Sequence, residues 1–393
     1  MESKLRTGLT ILLILCITLF CYFQIRNEPA FVDEQFHHEQ IIKFIDKDYT
    51  MSPVITTIPG YHVVMTLLMK PFKTSSLPLL RLFNVCFSLG LILIFYLILK
   101  KMNDPLIINK TLTYYFLPIV FSLLFLLYTD ILSILLVLIA LYLALSKKYF
   151  FSGLVCMLSI LIRQNNIIWL GFIFFMIYLE NKGSVTNHLR RTWTFILGLI
   201  LFIIFMTLNG GVSMGDKLMH EESLYLGNIY FVLFLFFIIF LPYNLSNFNK
   251  IVQLIKRKKL PVLVFTCLGF LVYMATFKIT HSYNFIEVFL RNQLLLYFTS
   301  SLLLKSIFFI MITYTIFSLI VTRLKRKSYY LIYLFTFLYL FPSELIEQRY
   351  YLIPFTLFIL FKDGELVGTK TIFVYAIVSL SLFFGIIARL FFL

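Results

Sequence analysis

Thirteen apolar segments follow one another along this chain, at about 8–25, 79–99, 111–128, 130–146, 150–163, 166–180, 192–209, 225–243, 260–278, 302–322, 329–343, 350–361 and 370–392. A membrane-crossing helix takes roughly 20 residues. The pattern therefore predicts an all-α, polytopic membrane protein with about 11–14 transmembrane helices. Some segments are short for a full crossing, which predicts tilted or broken spans. Composition agrees: 61% of residues are hydrophobic and 13% charged, against about 45–50% and about 25% in soluble domains. Residues 9–23 resemble a signal-peptide core, but no small-residue cleavage site follows in Gln24-Ile25-Arg26-Asn27, so a retained anchor is expected. The whole of 1–393 reads as a single integral membrane domain. Within it, 8–25 is the first span, 26–78 the first loop and 79–393 the remaining spans. The stretch 58–73, bracketed by Pro59 and Pro71, reads as a short interfacial helix on that loop.

Charge divides the chain into two sides. Lys4 and Arg6 place the N-terminus in the cytoplasm by the positive-inside rule. Alternating from there, the cytoplasmic loops hold 21 of the 34 basic residues against five acids, a surplus of 16. The opposite side holds 13 bases and 13 acids and is neutral. The net charge of +16 is thus a topology signal, and no nucleic acid is needed to explain it. The five cysteines lie inside apolar segments with no metal-ligand spacing and read as small buried hydrophobes. The two glycosylation sequons, at Asn109 and Asn244, fall on the cytoplasmic side.

The neutral side gathers the residues able to do chemistry. Asp33 and Glu34 stand just past the first span, where acids are costly and usually functional. One of such a pair can act as general base towards an acceptor hydroxyl while the other orients it; a solvated loop acid is the plainer alternative. His37, His38 and Glu39 raise a metal, but no second cluster completes a ligand set, so none is expected. Thr56, Thr57, Pro59, Gly60 and Tyr61 form either a substrate contact or a helix-start turn capped by Thr57. Arg163, Gln164 and Asn166 interrupt two apolar segments. Arg163 offers five donors suited to phosphate, or simply snorkels to the interface. Asn209-Gly210-Gly211, followed by Gly215, Asp216 and His220, makes either an anion-binding turn or a flexible loop. Glu347-Gln348-Arg349-Tyr350 opens a late segment. Arg349 cannot complement a helix N-terminus, which favours a phosphate ligand over the alternative of pairing with Glu344 or Glu347. No nucleotide-binding glycine motif or Ser/His/Asp signal is present, so any sugar donor is expected to be anchored in the membrane.

Seven motifs occur in order: Asp33-Glu34-x-Phe36-His37-x-x-Gln40, Ile55-Thr56-Thr57-x-Pro59-Gly60, Leu80-Arg81-x-x-Asn84, Tyr128-Thr129-Asp130, Arg163-Gln164-x-Asn166-Ile167-Ile168-Trp169, Asn209-Gly210-Gly211 with Gly215-Asp216 and His220, and Glu347-x-Arg349-Tyr350. Together they resemble the dolichyl-phosphate-glucose α-1,2-glucosyltransferases over residues 28–361. The resemblance implies a C-type glycosyltransferase fold in the endoplasmic reticulum membrane, N-terminus cytoplasmic and site lumenal. It implies dolichyl-phosphate glucose as donor, a diglucosylated oligosaccharide on dolichyl diphosphate as acceptor, membrane lipids as surroundings, and no cofactor. A β-linked donor and α-linked product imply inversion. Asp33 is then the expected base, with Glu34 the alternative. The basic candidates for the phosphate are Arg163, His220 and Arg349. His37, Thr56, Thr57, Tyr61, Asp130, Gln164, Asn166, Asp216, His281, Glu347 and Tyr350 are expected to contact substrate. One stretch departs. Where the family carries an Asp-Asn-Arg-His-Tyr run after a histidine, this chain reads His281-Ser282-Tyr283-Asn284-Phe285 and then Arg291-Asn292-Gln293. Two other readings stand behind this one: a C-type transferase for another polyprenyl-phosphate sugar or acceptor, and a lipid-sugar transporter. Transporters place charges near the midplane within inverted repeats, and neither is visible here.

Overall fold

A computed structural model describes residues 2–181, 183–215 and 224–393. Asp216 and His220 lie outside these residues. The chain divides into two compact units, Met1–His220 and Glu221–Leu393, each described by itself. No strand occurs among the described residues, only two isolated bridges, Phe289 with Phe392 and Leu324 with Lys362.

The first unit contains α1 (Glu2–Ile25), α2 (Asp33–Ile45), α3 (Gly60–Met69), α4 (Leu77–Lys101), α5 (Ile107–Tyr115), α6 (Pro118–Phe121), α7 (Thr129–Leu145), α8 (Tyr149–Ile162), α9 (Ile167–Glu180), α10 (Val185–Arg191) and α11 (Trp193–Asn209). The second contains α12 (Gly227–Ile239), α13 (Leu241–Ser246), α14 (Phe248–Arg257), α15 (Lys259–Thr276), α16 (Leu290–Thr299), α17 (Leu302–Val321), α18 (Leu331–Leu340), α19 (Leu352–Phe361) and α20 (Thr369–Ile387). The two short helices α2 and α3 occupy the first loop, α3 falling within the Pro-bracketed stretch 58–73.

Among the described residues, five helices are long and apolar enough to cross a membrane: α1, α4, α15, α17 and α20. Two bent pairs raise this to seven: α5 with 118–124 at 59°, and α10 with α11 at 72°. Beside them stand the shorter apolar helices α7, α8 and α12, in keeping with the polytopic all-α expectation. The apolar segments are where the sequence puts them, but several are short or broken. The 111–128 segment turns at Pro118, which starts a new helix because proline has no N–H to continue the old one. Arg163, in extended conformation, ends α8 and separates it from α9.

In the first unit α7 is the central helix. It is apolar around its circumference and packs against α4, α8 and α9. By contrast, α15 buries only Tyr273 within the protein, and its remaining apolar surface is free to face lipid. Chain direction alternates along the first unit, so one end receives the C-terminal ends of α1, α8 and α11 and the N-terminal ends of α4, α7 and α9. The polar motifs of this unit lie at that end.

Candidate active site

The buried carboxylate of Glu34 organises the polar end of the first unit. It pairs with Arg81 of α4 at 2.6 Å, both side chains being fully buried. Arg81 Nε donates to the second oxygen of Glu34 at 3.1 Å. The backbone N–H groups of Phe31 and Leu127 also donate to this carboxylate, at 2.9 and 2.7 Å. Arg81 in turn donates to the carbonyls of Ile25, Glu28 and Pro29. One ion pair thus ties together the exit of α1, the start of α2, α4 and the turn before α7. A buried pair is tolerable only when its remaining donors and acceptors are met in this way. Glu34 is therefore part of the frame. Asp33, its neighbour in the first turn of α2, is half-buried.

One helical turn after Asp33, on the same face of α2, stands His37. Its Nδ1 lies 3.0 Å from Nε2 of His62 on α3, and its ring meets those of Tyr61 and Tyr128 edge-on. Burial, with His37 adding to it, pushes the His62 imidazole well below its ordinary value, so it stands neutral. Burial first, then the nearby charges of Glu34 and Asp130, hold the Tyr61 phenol well above its ordinary value. Tyr61 is thus a proton carrier only as the neutral hydroxyl. Among the described residues no three His, Cys, Asp or Glu side chains are grouped to hold a metal ion.

Arg163 pairs with Asp130 at the start of α7. Gln164 works as a staple: its amide donates to the carbonyls of Thr56 at 2.7 Å and Val212 at 3.2 Å, and accepts from Ile58 N–H. The N–H of Met214 completes the seam by donating to the Thr56 carbonyl at 3.0 Å. Asn166 donates to Ser133 Oγ and the Ser159 carbonyl, both at 2.8 Å, and is buried framework. Two glycines permit these loops to close. A Cβ on Gly60 would meet the Leu161 carbonyl oxygen at 2.3 Å, and one on Gly215 the Pro53 carbonyl oxygen at 2.2 Å. Gly210 and Gly211 have positive φ and end α11. Thr57 does not cap α3. Pro59 is the residue before the helix, and Thr57 Oγ1 is buried without a hydrogen-bond partner. The proline carries no side-chain acceptor, and the hydroxyl two residues earlier does not reach the helix.

The second unit builds its own polar end around Asn228 and Asn284. Asn228 donates to the carbonyls of Ser343 and Leu345 at 2.9 and 2.8 Å, and accepts from Glu347 N–H and Tyr351 O–H. Asn284 exchanges hydrogen bonds with the backbone of Ile346 at 2.8 and 3.0 Å. Glu347 is buried and lies 2.9 Å from Arg291 and 3.4 Å from Arg349. Arg349 thus pairs with Glu347. His281 accepts from Tyr283 N–H at 3.1 Å, capping a short turn, while the Tyr350 ring lies 6.5 Å from that of Tyr339. Arg291 also donates to the Leu393 carbonyl at 3.0 Å and sits 4.1 Å over the Phe289 ring. The segment 391–393 folds back to reach it, with Phe391 passing over Gly385 and Phe392 bonding to Val288 and Leu290. The 281–293 stretch therefore holds a buried network built on Asn284, Arg291 and Asn292.

The model of the DIE2/ALG10 family matches residues 27–188 and 174–360. The chain belongs to the DIE2/ALG10 family. Among curated relatives, a protein of Rattus norvegicus is 25% identical over 69% of this chain and 70% of its own length. One of Homo sapiens is 26% identical over the same shares. One of Candida albicans is 34% identical over 29% of each chain. All three bear the name Dol-P-Glc:Glc(2)Man(9)GlcNAc(2)-PP-Dol alpha-1,2-glucosyltransferase. No solved structure matches.

Of the expected site residues, the structure brings Glu34, His37, Tyr61, Asp130, Arg163, Gln164, Asn166, Thr56 and Thr57 to one end of the first unit, with Asp33 beside them. It brings His281, Glu347, Arg349 and Tyr350 to one end of the second. Four structural partners were not singled out as site residues: Arg81, His62, Asn228 and Arg291. For Arg81 the signal was present, since a lone arginine within the apolar 79–99 segment needs a buried partner.

Proposed function

We propose that this chain transfers glucose from dolichyl-phosphate glucose to the diglucosylated oligosaccharide of dolichyl diphosphate, forming the terminal α-1,2 linkage. The reading rests on one observation above all: family membership spans both polar ends, from Asp33 to Tyr350, and the curated relatives share that printed activity.

Asp33 is the base in this reading. Four donors engage Glu34 and make it framework, and half-buried Asp33, which opens the loop motif in the first turn of α2, is the other carboxylate of the pair. The acceptor hydroxyl gives its proton to Asp33 as its oxygen attacks the anomeric carbon. The bond from that carbon to the phosphate oxygen breaks on the opposite face, which inverts the β-linked sugar to the α product. The leaving dolichyl phosphate keeps the electron pair, and cations stabilise its growing charge. Arg163, held on Asp130 at the same end of the first unit as Asp33, is the described candidate. The site faces the lumen of the endoplasmic reticulum and the N-terminus the cytoplasm, in keeping with the one-sided surplus of positive charge. The departure at 281–293 favours a second reading, a C-type transferase for another polyprenyl-linked sugar or acceptor.

Lipid-linked oligosaccharides from cells lacking the protein discriminate the two. Accumulation of the form missing only its terminal glucose is expected, and accumulation of an earlier form supports the second reading. Asp33→Asn is expected to abolish transfer, a loss of at least about 10²-fold, with the protein still in the membrane. Normal transfer removes Asp33 as base.

A further inference from the structure

We propose that the end of the second unit formed by α14 and the turn at 322–327 binds anionic phospholipid headgroups, with α14 lying along the bilayer interface.

On α14, Phe248, Ile251, Val252 and Ile255 follow helical spacing and form one apolar stripe. Ile251 is buried, but Phe248 is 55% and Ile255 38% exposed. A short helix with an apolar stripe only partly covered by protein and cations on its other positions suits the headgroup boundary. The cations are Lys250, Lys256, Arg257, Lys258 and Lys259, all exposed. No acid occurs between Leu224 and Ile286 to neutralise them.

Position supports the same conclusion. After a single intervening residue, Lys258, α14 runs into α15, which is long and apolar enough to cross the membrane. The run 256–259 therefore stands where a span enters the bilayer. Asn247 donates to Ser318 Oγ of α17 at 3.0 Å, and Tyr243 O–H lies 2.5 Å from Thr322 Oγ1. These bonds set α14 beside the end of α17, another candidate span, from which Arg323, Lys325, Arg326 and Lys327 emerge. Two span ends, an interfacial stripe and two basic runs thus meet at one level. A surface cation gains about 1 kcal/mol, roughly fivefold, near an acidic leaflet, and fixed cations at one level share the same headgroups.

The test reconstitutes the full chain in phosphatidylcholine vesicles carrying a trace of spin-labelled phosphatidylserine or spin-labelled phosphatidylcholine. The fraction of each label immobilised by the protein is read by electron spin resonance. The wild type is expected to favour phosphatidylserine by roughly fivefold at low salt, and less at 0.5 M salt in proportion to screening. The variant K250Q/K256Q/R257Q/K258Q/K259Q changes exposed residues only and should lower the preference by at least about twofold, leaving only what the 323–327 run supplies. Equal immobilisation of both lipids by the wild type, or a preference that this variant leaves intact, overturns the proposal. An intact preference combined with loss of a co-purifying acidic protein overturns it too, and assigns the face to a protein partner.

Discussion

At the residue scale, the buried groups set the energetics. Glu34 and Arg81 are both fully buried and hold four chain segments between them. Removing one charge strands the other away from water, at a cost of about 3–5 kcal/mol. Glu34→Gln is therefore expected to lower the thermal midpoint in detergent and reduce the yield of folded protein. A Glu34→Gln protein as stable as wild type would show that the pair is dispensable. His62 gives a pH dependence whose sign is fixed. Its folded value lies well below the unfolded 6.5 because it is buried beside His37. The unfolded chain therefore binds the proton more readily. The stability this site contributes is complete above about pH 6.5 and is lost as pH falls towards the depressed folded value. Thermal unfolding between pH 7.5 and 5.5 should show this loss, and His62→Gln should flatten it.

At the element scale, short helices are placed by close approach. α3 can dock on the end of α8 because Gly60 has no Cβ to meet the Leu161 carbonyl oxygen. That neighbour is backbone and cannot swing aside, so Gly60→Ala is expected to cost about 1–3 kcal/mol by overpacking. It should also impair the seam that Gln164 makes with Thr56. Limited proteolysis of the 46–59 loop is a direct measure: faster cleavage in the variant is expected, and an unchanged rate would mean that α3 adjusts freely. The sequon at Asn244 illustrates the same scale. Its side chain is buried and its amide donates to the carbonyls of Phe236 and Phe237, so packing shields the amide that modification would need.

At the scale of the whole molecule, the distribution of charge predicts orientation. A glycosylation tag within 212–222 is expected to be modified in the lumen, and one near residue 255 to stay bare. The reverse pattern would invert the topology and move the proposed site to the cytoplasm. Within each unit the polar residues gather at one end although they come from distant parts of the chain. Glu34 reaches Arg81, Asp130 reaches Arg163, and Asn284 reaches Ile346. Because neighbouring helices alternate in direction, motifs at alternate helix ends converge on one level.

Helix positions were legible in the sequence. The expected 79–99, 130–146 and 302–322 became Leu77–Lys101, Thr129–Leu145 and Leu302–Val321. Apolar length is a property of contiguous residues, and a helix satisfies its own backbone, so no distant partner is needed to decide it. The motif-bearing loops and the carboxylate pair were legible for the same reason: each is a local run. Which acid of the pair is consumed was not. Asp33 and Glu34 are neighbours of like chemistry, and only Arg81, 47 residues away, and the N–H of Leu127 separate their roles. The His37–His62 contact, the Gln164 staple and the Arg291–Glu347 pair likewise depend on chain segments far apart in sequence. The sequence by itself determined the apolar helices and the family. Tertiary structure decided which polar groups are frame, because a buried charge is defined by the partners that replace its water.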